Sequence, residues 1–140
     1  MTKKTLRSVQ ELIAASLAPP DDHAALAMVA QKYAVAVSPH LFDLIRQEDG
    51  VRKQFIPTAA ELNTGQLDMT DPIGDKTHSP IKGIIHRYPD RCLLQPVTVC
   101  PVYCRFCFRR ETVGKGNPAL TPTELDACYQ YIAQHPVCIY

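Results

Sequence analysis

The sequence predicts an α/β chain with its helices first and its strands last. Three observations carry this expectation. Apolar residues recur at helical spacing before residue 50, proline and glycine punctuate residues 57–92, and a strand–loop–helix–strand pattern runs from Leu93 to the end.

The helices come in order. Ser8-Val9-Gln10-Glu11 has the pattern of a capping box, so a first helix is expected over 8–17. After Pro19-Pro20 a second is expected over 21–36, where Ala24, Ala25, Ala27, Met28 and Ala30 favour helix. Pro39 opens a third, short helix through Leu41, Phe42, Leu44 and Ile45, with Gly50 as its stop. Seven prolines and glycines between Pro57 and Pro89 then exclude long helices. Leu93–Val99 reads as a short buried strand, weakened by Pro96, which has no N–H to give a ladder. Thr121-Pro122-Thr123-Glu124 combines a capping box with proline at the first helical position, so a helix is expected to about Gln134. Val137-Cys138-Ile139-Tyr140 then reads as a second strand, which completes one parallel βαβ unit.

Apolar residues make up 46% of the 140, enough for one small domain's core. A formal net charge of +1 supplies no bulk attraction for nucleic acid or an anionic membrane. No run of 18 apolar residues offers a transmembrane span. The basic start Met1-Thr2-Lys3-Lys4-Thr5-Leu6 is not followed by the apolar stretch of a signal peptide. The expected address is cytoplasmic, with neither nucleic acid nor membrane as partner. In a reducing compartment the six cysteines are better accounted for by metal ligation than by disulfides.

Three of those cysteines are clustered. Cys100, Cys104 and Cys107 form C-x3-C-x2-C in the run Val99-Cys100-Pro101-Val102-Tyr103-Cys104-Arg105-Phe106-Cys107-Phe108-Arg109-Arg110. Three thiolates this close suit an iron–sulfur cube with one iron left open for chemistry. The same spacing suits three ligands of a structural zinc, with His86 or Cys92 as the fourth. Cys92, Cys128 and Cys138 read as small buried apolar residues, and His78 as a loop hydrogen-bonding group. Arg105 and Arg110 read either as surface charge or as groups that tune a cluster's potential.

The flanking sequence adds a resemblance. Asp71-Pro72-Ile73-Gly74-Asp75-Lys76-Thr77-His78-Ser79-Pro80, then His86-Arg87-Tyr88-Pro89-Asp90-Arg91, then the cysteine run, resemble the lysine 2,3-aminomutase family of the radical S-adenosylmethionine (SAM) enzymes. The match covers about residues 51–136. It implies a partial (β/α)6 barrel, of which this chain holds the first βαβ portion. The expected domains are a helical lead-in over 1–50, a segment over 51–92 that binds the phosphate of pyridoxal 5′-phosphate (PLP), and the start of the barrel over 93–140.

The resemblance implies these roles. Cys100, Cys104 and Cys107 hold a [4Fe–4S] cluster whose open iron binds SAM. One electron, from a donor such as a flavodoxin or a ferredoxin, splits SAM into a 5′-deoxyadenosyl radical. PLP carries the substrate amine during its migration from the α- to the β-carbon, with L-lysine as the implied substrate. Arg87, Tyr88 and Arg91 match the residues that bind the PLP phosphate, and Arg109 matches the one that binds the substrate carboxylate. Phe106 falls at the adenine region of SAM. Two guanidinium groups and a phenol suit a phosphate dianion, and a guanidinium fork matches a carboxylate. Self-association is compatible with this reading. The Gly-Gly-Asp-Pro segment and the PLP lysine of such enzymes lie beyond the second strand. The 140-residue chain is therefore expected to be an N-terminal portion without turnover of its own. The alternative is an inactive truncated remnant serving only as an iron–sulfur or zinc module.

Overall fold

The computed structural model describes residues 4–116 and 119–136. Its contacts divide the chain into two compact units, Met1–Asp68 with Cys100–Gly114 and Met69–Val99 with Lys115–Tyr140.

The first unit is helical. Helix α1 spans Val9–Ala14, and Ser8 caps it as expected: its Oγ accepts from the Glu11 N–H, and the Glu11 carboxylate accepts from the Ser8 N–H, both at 3.2 Å. It ends three residues short of expectation because Ser16 turns left-handed at φ 57°, which sends the fully buried Leu17 back toward Leu12. Helix α2 spans His23–Lys32, after a 3-10 turn at Pro20–Asp22. It stops before the expected residue 36 because Tyr33 is extended, and Val37 then bridges Leu6 antiparallel. β-branched Val35 and Val37 are buried in this extended stretch. Helix α3 spans Phe42–Gln47, entered through the 3-10 turn Pro39–Leu41. The expected stop at Gly50 is displaced: extended Glu48 breaks the chain, and Gly50 lies inside a further helix, α4, Asp49–Phe55. The core gathers Leu6, Val9, Leu12, Leu17, Leu26 and Ile45, with neighbours from the same segments.

The second unit holds a hairpin and a helix. Strands β1, Ile84–Tyr88, and β2, Arg91–Leu94, pair antiparallel, with Ile84 opposite Leu94 and Tyr88 opposite Arg91. Helix α5 spans Pro122–Ala133, close to the expected range. Thr121 Oγ1 accepts from the Glu124 N–H, and the Glu124 carboxylate accepts from the Thr121 N–H. Gly83 lets α5 approach: at φ 93°, a Cβ there would lie 2.5 Å from Leu120 Cδ1 and 2.9 Å from the Cys128 sulfur. Ile84, Cys128 and Ile132 form this unit's buried core.

The expected strand over Leu93–Val99 is corrected. The ladder ends at Leu94, and among the described residues only an isolated antiparallel bridge, Val97 to Ala119, lies beyond Pro96. Proline removes the donor that would have continued the ladder. The sheet is thus antiparallel among the described residues, and the expected parallel partner at 137–140 lies outside them. The fold class is α/β with a two-stranded sheet. Among the described residues no helix is long and apolar enough to cross a membrane.

Candidate functional site

The cysteine loop, Cys100–Gly114, belongs to the helical unit. It is a chain of turns: the Cys107 N–H donates to the Cys104 carbonyl at 3.2 Å, and the Arg110 N–H to the Cys107 carbonyl at 3.1 Å. Side chains alternate inward and outward around the ligand candidates. Tyr103 and Arg105 are each 6% exposed, whereas Phe106 is 79% exposed.

Arg105 is not surface charge. Its Nη2 and Nε donate to the two carboxylate oxygens of Glu61 at 2.7 and 3.1 Å. Its Nη1 donates to the Ala34 carbonyl at 2.9 Å, and its backbone N–H to the Gln54 carbonyl at 2.7 Å. A buried guanidinium needs such a partner set, because an uncompensated charge in a low dielectric is strongly disfavoured. The loop's far end is fixed by Gly114, where a Cβ would fall 2.5 Å from the Tyr103 ring. The Arg110 guanidinium lies over the Tyr33 ring at 4.5 Å, and that of Arg109 over Phe108 at 4.7 Å.

Cys100, Cys104 and Cys107 line one small cavity of about 70 Å³, together with Tyr33, Tyr103 and Arg110. Cys100 is exposed and the other two are half-buried. Burial pushes the Cys104 thiol up from its ordinary pKa, and the neighbouring Cys107 and Cys100 push it the same way. A cationic centre beside Cys104 would oppose both effects. As a donor set the three thiols fit a thiophilic group such as an iron–sulfur cluster. Among the described residues no three His, Cys, Asp or Glu side chains already stand in metal-ligand geometry.

Arg87, Tyr88 and Arg91 sit at the tip of the β1–β2 hairpin, around the turn Pro89-Asp90. Tyr88 and Arg91 face each other in register, and the Arg91 guanidinium lies 5.0 Å from the Tyr88 ring centre. Arg91 Nε also donates to Asp90 at 3.1 Å in an exposed ion pair. Arg87 turns elsewhere: its Nη2 donates to the Ile73 carbonyl and lies 3.6 Å from Asp75. The hairpin thus brings Tyr88 and Arg91 together and holds Arg87 against the Ile73–Asp75 loop.

The remaining candidates are placed as follows. His86 hydrogen-bonds the Tyr131 hydroxyl through Nδ1 at 2.7 Å, edge-on to the Tyr131 and His135 rings. His78 bonds the Gly74 carbonyl at 2.8 Å, the loop role expected of it. Cys128 is fully buried, Cys92 is half-buried, and Cys138 lies outside the described residues.

Sequence reasoning did not find Glu61, Ala34, Gln54 or Gly114, the residues that seat the cysteine loop. One signal was present: Thr58-Ala59-Ala60-Glu61 has the capping-box pattern, and the Glu61 carboxylate does accept from the Thr58 N–H at 3.1 Å.

No protein-family model matches the chain. Curated relatives do. It is 34% identical over 137 residues to the L-lysine 2,3-aminomutase of Clostridium subterminale, covering 96% of this chain and 33% of that protein. It is 38% identical over 105 residues to the L-lysine 2,3-aminomutase of Fusobacterium nucleatum, covering 73% and 25%. The glutamate 2,3-aminomutase of Clostridioides difficile is 32% identical over 110 residues, covering 76% and 26%. The chain spans about a quarter to a third of the length of these relatives.

Proposed function

The chain belongs to the lysine 2,3-aminomutase family, and on that premise we propose that it forms the cluster- and cofactor-binding portion of a radical SAM amino acid 2,3-aminomutase. The observation that carries this reading is the meeting of Cys100, Cys104 and Cys107 on one cavity within a chain of that ancestry. Those residues would hold a [4Fe–4S] cluster, which when bound supplies an open iron for SAM and one electron to it.

The chain's own residues supply binding and orientation. Arg109, two residues past Cys107 in sequence and lying over Phe108, offers a forked donor for a substrate carboxylate. Phe106 and Phe108 hold apolar rings in solvent, at 79% and 48% exposure, and an adenine laid on them removes that apolar surface from water. Tyr88 and Arg91 offer a phenol and a guanidinium to the phosphate of PLP. Arg87 joins them by exchanging Asp75 for the phosphate, since a dianion is the stronger partner. L-lysine is the substrate favoured by the relatives' names, with a flavodoxin or ferredoxin as reductant.

Anaerobic reconstitution of the 140-residue chain tests the reading. The expected result is about four irons and four sulfides per chain. Loss follows from Cys100→Ala, Cys104→Ala or Cys107→Ala, and retention from Cys128→Ala. Stoichiometric zinc without labile sulfide, from iron-replete anaerobic material, overturns it.

A further inference from the structure

We propose that Glu61 is a positioning residue for the cysteine ligands, acting through Arg105; the inference rests on the reading of Cys100, Cys104 and Cys107 as ligands of one metal group. Arg105 follows Cys104 directly and precedes Cys107 by two residues, so whatever fixes its backbone fixes the chain that carries both thiols. Three separate segments of the helical unit hold it, through the carbonyls of Ala34 and Gln54 and the carboxylate of Glu61.

Glu61 is the member of that set that carries the charge. Carbonyl dipoles alone do not compensate a guanidinium that is 6% exposed, whereas a two-pronged carboxylate at 2.7 and 3.1 Å does. Glu61 is itself aimed: Oε1 accepts from the Thr58 N–H as well as from Arg105 Nε, and the residue is part of the 3-10 turn Ala59–Leu62. The chain of fixation runs from that turn to Glu61, from Glu61 to Arg105, and from Arg105 to the Cys104–Cys107 turn. The helical unit thereby has a task beyond packing, since Ala34, Gln54 and Glu61 all come from it. Neutralising the guanidinium within the clamp also lets the loop be seated without an unpaired cation in its anchor.

The test is the alkylation rate of each cysteine in the metal-free, reduced full chain, resolved by peptide mass spectrometry with iodoacetamide. Glu61→Gln keeps the length and the capping acceptor while removing the charge. It is expected to raise the rates at Cys104 and Cys107 at least about tenfold, because an unpaired buried charge opens the loop. Arg105→Gln should match it, the double variant should be no faster than either, and Arg105→Lys should fall between them and the parent. Cys128, buried in the other unit, should keep its rate throughout, which separates a released loop from a lost fold. Rates at Cys104 within twofold of the parent in Glu61→Gln, or a parallel rise at Cys128 in both Glu61→Gln and Arg105→Lys, overturn the proposal. Reconstitution of the parent chain reports separately on the metal reading, so the two failures are told apart.

Discussion

Replacing Gly114 with alanine places a methyl group 2.5 Å from Tyr103 Cε2, 2.8 Å from its hydroxyl oxygen and 2.9 Å from the Ala34 Cβ. Two costs add. The residue sits at φ 74°, a left-handed conformation that disfavours an L side chain by about 1–2 kcal/mol. The contacts fall well inside van der Waals separation, and overpacking of this kind costs about 1–3 kcal/mol. Tyr103 is 6% exposed, so the ring or the cysteine loop must shift to admit the methyl group. The expected loss is roughly 2–5 kcal/mol, read from urea unfolding followed by circular dichroism. Gly116→Ala is the control: its φ is 63° and no atom lies within 4 Å of the added methyl, so only the backbone cost of about 1–2 kcal/mol applies. Midpoints for the two variants that agree within error would show that the close approach to Tyr103 carries no energy, and the reasoning would fail.

Glu124 gives a pH prediction. The Lys82 ammonium, followed by the Thr121 N–H, draws its carboxyl from 4.5 down to about 2. A carboxyl lowered on folding stabilises the fold above pH 4.5, and that contribution is lost as pH falls through about 2. Thermal midpoints between pH 6 and 2 should therefore fall less steeply in Glu124→Gln, and an identical acid limb in both proteins would refute the assignment. At the hairpin tip, Arg87→Ala should weaken PLP binding by about 2–3 kcal/mol by fluorescence titration. Asp90→Asn, which frees Arg91 from an exposed ion pair, should tighten it by roughly two- to fivefold. Affinities unmoved by either change would remove the tip from the phosphate site.

What the sequence makes legible here is local. The capping boxes at Ser8 and Thr121 are four-residue patterns, and both helices start where those patterns place them. The cluster of candidate cysteines is legible for the same reason, since eight residues contain all three. Gly50 misleads because glycine is tolerated near a helix start, while the break falls at Glu48, whose extended backbone no propensity marks. Pro96 gave the right warning, and the strand ended before it. The burial of Arg105 is beyond local reading altogether. It depends on Glu61, 44 residues away, and no window around the cysteines contains that carboxylate.

The distances along the chain that join Arg105 to its partners also set an order of events during folding. Its bonds to Glu61 and Ala34 close spans of 44 and 71 residues. Each such closure costs roughly 3–4 kcal/mol of chain entropy before any contact rewards it. The β1–β2 hairpin turns within a few residues and meets no such barrier, so it is expected to form before the cysteine loop docks. Until that docking, the three thiols ride on an unsecured stretch of chain, open to oxidants from every side. On the proposed reading of those thiols as ligands, the interval between synthesis and docking is the time in which oxidation competes with metal loading.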